Sequence, residues 1–578
     1  MNRHARYILP LALFAAVAAN AGATQPQLAP FTWHSVVDNG DYMPTDSCDP
    51  AAFLPTSPPC RNFNSYNQPS VNASGLVVFR ARSRGGHGAG EPVHGIYTRD
   101  MDATGPVIRI LERGSPVSQP NNLGTVFHEP PSFPRIDIAS PTIVTRGNHQ
   151  PVWDTAVNGG IEEQLGTNGV YANPFGPLVT GASKLGAVSD FFFFQVPESP
   201  GTYFDVFPGA PAVTDGSVIV FKGNYTIGLV GKTGVYYRNL MDAPIPYADG
   251  ALLTPAAGTL PVVLIANNTD TLVPGTQTVF GSTAPPSAAN HMAVFAGFDN
   301  EDAPTLGGIY LAPLNGSQPP LATLVGIGQQ VPGENPDARF NRLGEGVSFD
   351  GRFVAFWGAW GTAMRTLVLQ CPLEGNAQRV AYCQEQFPDG ASVQVPVQQG
   401  IFVVDIETQE IRPLAKTPAD YDDFLYWNFS GHVPGSTEEE DGEPARWRSA
   451  AFVAVSGAVH GKLSDPTFTT AFEARTGAVQ DGVYVDPVDG IYLKREPGKS
   501  PMLIAAETGM AGTRLDARAL DAETGAALPI TELGIERDGF RGNYLVINAR
   551  MGAEETGWAG IYFTDISVGD TIFADGFE

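Results

Sequence analysis

A tripeptide of Gly, then Ile or Val, then Tyr or Phe returns at Gly95, Gly169, Gly234, Gly308, Gly400, Gly490 and Gly560, about 78 residues apart on average. A further copy at Gly482 falls so close to Gly490 that it reads as part of a hairpin insertion. Self-similarity of this kind implies a repeat architecture, one supersecondary unit used again and again. The triplet has no acid, base or thiol, so its role is structural. Its aliphatic and aromatic members alternate across a strand and pack unit against unit, and its glycine admits a tight entry into the strand.

Each triplet sits in a larger unit. Upstream lies an apolar run, as in "LVVFRA" (76–81), "SVIVFKG" (217–223), "MAVFAG" (292–297) and "YLVINA" (544–549). Downstream lies a third run, as in "PLVTGA" (177–182), "VVLIAN" (262–267) and "ATLVGIG" (322–328). Segments that often end in Asp-Gly or Ser-Gly lead into the next unit, as in "APAVTDG" (210–216). Four short strands per unit make the blade of a β-propeller. The 65 glycines and 49 prolines, with almost no helical periodicity, agree with an all-β chain.

The last unit stops after "GIYFTDIS" (560–567) without a third run. The segment "HSVVDNGDYMP" (34–44) resembles the missing piece. The expected fold is therefore all-β: a single propeller of seven four-stranded blades over residues 24–567, closed by the N-terminal strand completing the last blade. An open ring would leave an unpaired edge, which is an aggregation hazard.

Within this pattern, "VSFDGRFVAFWG" (347–358) resembles the Ser-Pro-Asp-Gly element of TolB-type, WD40-like propellers of bacterial envelope proteins, with Phe349 in place of the usual proline. The resemblance implies the strand order and an exported setting, and carries no active-site residue with it.

The start of the chain reads as a signal peptide over residues 1–23: Arg3 and Arg6, an apolar run from Tyr7 to Ala19, then small residues at Ala21 and Ala23. The run is too short for a stable membrane anchor. No later stretch is long and apolar enough for a helical span. A periplasmic, cell-surface or secreted location follows as the expectation. Residues 568–578 form a short acidic tail, read either as a sorting tag or as a frayed end.

The formal net charge is −26, and loss of two arginines with residues 1–23 brings it to about −28. Nucleic acid and anionic lipid are polyanions and are disfavoured as partners. Cys48 and Cys60, and Cys371 and Cys383, form two local pairs suited to disulfides in an oxidising compartment. Three pairings remain open from sequence alone. Without a Cys-x-x-Cys, zinc or thiol redox chemistry is not expected.

Chemistry is hard to locate. "TIGLVGKTG" (226–234) approximates a phosphate loop but has Thr226 at the first glycine position and no following helix, so it reads as a hairpin turn. "RGGHGAGEP" (84–92) is a Gly-rich hairpin loop with His87 and His94 nearby. No Gly-x-Ser-x-Gly or His-Glu-x-x-His motif occurs. Asp299, Glu301 and Asp302 in "FDNEDAP" (298–304) crowd oxygen ligands into one turn, a candidate calcium site weighed against an ordinary acidic turn. Calcium is the cofactor considered; no catalytic residue is nominated. "DFFFFQV" (190–196), and Trp357 with Trp360, read as core against the alternative of a ligand-stacking surface.

Three functions compete. The first is a non-catalytic binding scaffold that presents loops around a central channel to an unknown protein or glycan. The second is a hydrolase or lyase on an extracellular polymer such as a glycan, where two carboxylates would suffice. The third is a surface-assembly role. A monomer is expected.

Overall fold

The computed structural model describes residues 26–44, 61–84, 92–118, 124–131, 133–149, 152–154, 163–165, 168–187, 193–241, 260–373, 377–431, 433–434, 444–457, 467–497, 501–553 and 556–569. Seven antiparallel sheets follow one another along the chain. In blade 1 the inner strand runs Phe63–Tyr66, breaks, and resumes as Ser70–Val71; Leu76–Ser83, His94–Asp100 and Ile108–Glu112 follow outward. Blades 2, 3, 4 and 5 repeat that order, with broken inner strands beginning at Phe127, Phe204, Ser282 and Phe340. Blade 6 has Val453–Gly457 innermost, and blade 7 has Ile530–Gly534 with Phe540–Arg541. The inner strands touch in order around the ring, and Phe540–Arg541 of blade 7 returns to Ser70–Val71 of blade 1.

Closure is as the sequence implies. His34–Asp38 pairs antiparallel with Trp558–Asp565 as the outer strand of blade 7, Val37 opposite Ile561. The chain adds a detail that the pattern did not suggest: Gln27–Leu28 pairs in parallel with Leu503–Glu507 as a fifth strand on blade 6. The N-terminal segment thus joins two neighbouring blades. The extra copy at Gly482 is a hairpin tip, where Asp481 and Gly482 both take positive φ (50° and 82°) in the two-residue turn.

The recurring triplet has a physical cause more specific than tight strand entry. A Cβ on Gly95, Gly169, Gly234, Gly490 or Gly560 would meet the ring of the tyrosine two residues later, at 2.5 Å from the Tyr97 hydroxyl in the first case. The same Cβ would also strike a carbonyl of the outer strand, such as Leu111 O at 2.8 Å. The tyrosine folds back over its own glycine, and a phenylalanine of the inner strand meets its ring edge-on. Phe63–Tyr97, Phe127–Tyr171 and Phe204–Tyr236 have centroids 5.0, 4.9 and 4.9 Å apart.

Polar groups join blade to blade in two further rings. At the turns after the inner strands, the Asx side chain of one blade bonds the turn of the next: Asn72 Nδ2 donates to Ser140 O at 3.1 Å, Asp137 accepts from Gly216 N at 2.6 Å, and Asp350 accepts from Gly457 N. This is the physical role of the Asp-Gly and Ser-Gly segments. On the second strands of blades 1, 2 and 6, the side chain at one register position reaches the break in the next inner strand. Arg80 Nε donates to Pro130 O and Arg146 Nη1 to Phe207 O, both at 2.5 Å, while Glu473 accepts from Ile535 N at 2.7 Å.

The axis itself is crossed by charge. Arg135 of blade 2 holds Asp538 of blade 7 through two bonds of 2.5 and 2.7 Å, and donates to Pro286 O and Ser287 Oγ of blade 4. Arg541 reaches Val455 O of blade 6 and Phe349 O of blade 5, and also pairs with Asp538. These bonds link blades that are not neighbours, so the network occupies the centre of the ring.

The other sequence expectations fall as follows. Cys371–Cys383 is a disulfide; it staples the helix Ala377–Gln386, which packs through Tyr382 against Phe429 of the hairpin formed by Tyr426–Ser430 and Arg446–Ala450. Cys48 and Cys60, residues 1–23, His87, and the tail beyond residue 569 lie outside the described residues. Trp357 and Trp360 are buried, which removes the ligand-stacking alternative. Phe193 and Phe194 are buried beneath Arg238, and they do not lie on a strand.

Two stability predictions follow from the charges. Burial alone would raise the Asp538 carboxyl, but Arg135 and Arg541 outweigh it and hold it at about 2. Its contribution is present above the ordinary aspartate range and is lost as pH falls toward 2. D538N leaves two buried guanidinium groups facing an amide, and denaturant titration is expected to show a loss of about 3–5 kcal/mol. Burial pushes Glu473 the other way, up to about 8. The folded protein therefore retains a proton there that the unfolded chain releases, and stability falls as pH rises from the ordinary glutamate range to about 8. E473Q should keep the fold and flatten that fall in melting temperatures taken between those limits.

Candidate functional site

Along the second strand of blade 3, Val218–Ile227, the side chains of Lys222, Asn224 and Thr226 fall at alternate positions and share one face, toward blade 4. Opposite them stand Gly281 and Ser282, at the start of the inner strand of blade 4. Together they bound a recess of about 320 Å³. Asp205 enters from the inner strand of blade 3, Lys232 and Thr233 from its third strand, and Glu301 from the hairpin turn of blade 4. Nearly every lining side chain is polar, against the apolar lining usual for small-molecule pockets.

The repeat explains why space opens here. By strand register, Arg80 opposite Ile96 in blade 1 corresponds to Lys222 opposite Val235 in blade 3, and His94 corresponds to Thr233. Glu129 opposite Asn148 in blade 2 corresponds to Ser282 opposite Phe298 in blade 4. Between blades 1 and 2 the Glu129 carboxylate fills the interface: it pairs with Arg80, and lies 2.6 Å from His94 Nδ1. Burial raises that carboxyl, yet the bonds from His94 and Arg80 outweigh it and the net shift is downward. Between blades 3 and 4 a serine stands in place of the glutamate and Lys222 in place of the arginine.

Two polar atoms in the recess have no hydrogen-bond partner in the protein: Asn224 Oδ1 and Ser282 Oγ, both buried. A buried group left in this state costs about 1–3 kcal/mol. The carboxylates are positioned by neighbours. Asp205 Oδ2 accepts from Thr226 Oγ1 at 2.8 Å, and Glu301 pairs with Arg446 of the hairpin that precedes blade 6.

The calcium candidates lie in the turn between Met292–Phe298 and Gly307–Pro313 of blade 4. Asp299 accepts from Thr305 N, Thr305 Oγ1 and Leu306 N at 2.5–2.9 Å, and Asp302 shares Arg446 with Glu301, at 3.3 Å. The three carboxylates are not brought together as a ligand set, and among the described residues no group of three or more acidic, His or Cys side chains is disposed to hold a metal ion. The phosphate-loop lookalike is the hairpin turn expected of it, between Val218–Ile227 and Val230–Asn239. The functional interest of that stretch lies in Lys222, Asn224 and Thr226 before it, whose alternation in "VIVFKGNYTI" is the signal in the sequence. Asp205 and Ser282 belong to short inner strands with no motif, and only an alignment of the repeats brings Ser282 into view.

No protein-family model and no curated protein matches the chain, so the TolB-type resemblance gains no family support. Solved structures do match. The Penicillium chrysogenum α-L-arabinanase aligns over 92% of this chain and 99% of its own, at 9% identity and TM-score 0.28. The Fusarium graminearum α-L-arabinofuranosidase aligns over 92% and 98%, at 7% identity and TM-score 0.28. A puromycin-hydrolysing peptidase of Mycobacterium tuberculosis aligns over 95% of this chain but 56% of its own, at 11% identity and TM-score 0.35. Likeness at these values leaves the activity and the substrate of this chain open. It also corrects the ranking of functions drawn from sequence: the first choice was a non-catalytic scaffold, whereas these matched propellers are named as hydrolases, two of them acting on arabinose-containing glycans.

With Asp299 saturated by Thr305 and Leu306, and Glu301 and Asp302 held by Arg446, melting curves in millimolar calcium and in chelator are expected to superimpose. A rise with calcium that chelator reverses would mean that the ion displaces Arg446.

Proposed function

We propose that this protein is an exported enzyme that hydrolyses a glycan at the recess between blades 3 and 4. The observation that carries the reading is the lining of that recess: two carboxylates from neighbouring blades, Asp205 and Glu301, facing a space bounded by amide, hydroxyl and ammonium groups. A sugar offers hydroxyls in every direction, and a recess that holds Asn224 Oδ1 and Ser282 Oγ without protein partners suits such a ligand. Glycoside cleavage asks for two carboxyl groups, one to protonate the leaving oxygen and one to activate water or attack the sugar carbon. Asp205 and Glu301 are the pair assigned to those tasks.

Export is supported by the basic and apolar start of the chain and by the Cys371–Cys383 disulfide, which suits an oxidising compartment. No helix among the described residues is long and apolar enough to cross a membrane. The TolB-type kinship of 347–358 and a sorting role for residues 568–578 are part of the same proposal; both fit an envelope or secreted enzyme. Calcium is not required by this reading.

The test is release of reducing ends from a panel of arabinans, galactans, xylans and pectins by the mature protein. D205N and E301Q should each lower the rate on the active polymer by about 10²–10⁴-fold, the range for loss of a general acid or base, while melting temperatures stay close to wild type. Full activity in both variants would remove the recess as the catalytic site.

A further inference from the structure

We propose that the recess takes the end of a glycan chain, so that the enzyme is exo-acting and releases one short saccharide at a time from that end. This rests on the recess being the glycan site. The geometry behind it is a blind recess with its carboxylates at the mouth. Along Val218–Ile227, positions 218, 220, 222, 224 and 226 share the face toward blade 4. Val218 and Val220 belong to the apolar cluster that joins blades 3 and 4, with Phe280, Ala288 and Phe295. That cluster closes the recess beneath Lys222 and Ser282, which are 8% and 6% exposed. Further along the same face Asn224 is half-buried and Thr226 is exposed. The recess therefore deepens from Thr226 toward Ser282.

Its outer end is closed as well. Asn268 Nδ2, just after the outer strand of blade 3, donates to Gly281 O of blade 4 at 3.3 Å. Thr233 Oγ1 of blade 3 lies 3.2 Å from Thr283 Oγ1 of blade 4. These contacts tie the blades together where a threaded chain would have to leave. The carboxylates stand at the open side: Asp205 accepts from the exposed Thr226, and Glu301 is exposed in the hairpin turn of blade 4. The atoms without protein partners, Asn224 Oδ1 and Ser282 Oγ, lie deeper. A saccharide bonded to them has its terminal ring at the closed end and its linkage to the rest of the chain near Asp205 and Glu301. Each turnover breaks one glycosidic C–O bond; water gives its hydroxyl to the sugar carbon and a proton to the leaving oxygen. At about 320 Å³ the recess is at the small end of the range for ligand pockets, about 300–1,000 Å³. An internal stretch of polymer, with chain on both sides, has no second exit.

The experiment follows arabinan, galactan, xylan and pectin with the mature protein, by viscosity and by chromatography of the products. On the polymer that is cleaved, a single short saccharide from the first time point, with viscosity almost unchanged, is the expected result. Calorimetry of that saccharide on D205N protein, and on D205N carrying S282A or N224A, tests its place. Each added substitution should weaken binding by about tenfold, the equivalent of one lost hydrogen bond, while melting temperatures hold. The inference is overturned if viscosity collapses early and a ladder of long oligosaccharides appears, or if both added substitutions leave binding as it is in D205N. Either result would leave the glycan-hydrolase reading standing. If no polymer is cleaved, both readings fall.

Discussion

Six times along this chain an aromatic ring lies against a glycine that carries no side chain, and the rest of the blade is arranged around that contact. In five units a Cβ at the triplet glycine would overlap the tyrosine two positions later. Glycine lets the ring fold flat, the ring turns an edge to the inner-strand phenylalanine, and the second strand supplies another glycine or alanine beneath that phenylalanine. Gly147, Gly223, Gly297 and Gly358 serve there, each with the phenylalanine within 3.0 Å of an ideal Cβ. The sheet is thereby fixed from its inner to its outer strand by one stack. Buried aromatic pairs of this geometry contribute about 0.5–1.5 kcal/mol each beyond the area they bury.

Once the blades are set, the ring must be closed without leaving polar backbone bare. The inner strands are broken, and each break exposes carbonyls and amides toward the axis or the next blade. The protein answers with side chains of fixed register: arginine at 80 and 146 and glutamate at 473. Arg135, Asp538 and Arg541 do the same across the centre. Most of the buried charge in the molecule is therefore architectural. Asp538 and Glu473, whose carboxyls are displaced in opposite directions, are both groups that hold blades together. A polar recess lies at the interface of blades 3 and 4, where a serine stands at the position that holds a glutamate between blades 1 and 2.

The fold was largely legible in the sequence because it is periodic. Gly308-Ile309-Tyr310 and its counterparts marked the third strands, Asp-Gly segments marked the turns, and "HSVVD" at 34–38 could be matched to a missing outer strand. The parallel strand at Gln27–Leu28 was not legible, since two residues carry no pattern. The recess was hidden for a different reason. Its residues come from four separate strands and one turn, and each looks ordinary alone; Lys222 and Asn224 read as breaks in an apolar run. The acidic turn at 299–302 drew attention because its carboxylates are adjacent in sequence, yet backbone amides and Arg446 use them up. Comparison of equivalent positions between repeats is what brings Ser282 and Lys222 into view.

The central claim is that the interface of blades 3 and 4 is where this protein holds a sugar. The most direct measurement is a crystal structure of the D205N variant soaked with an oligosaccharide that the wild-type protein binds. Saccharide density within hydrogen-bond distance of Asn224 and Ser282 is the predicted result. Density confined to other parts of the molecule, with nothing between blades 3 and 4, would contradict it.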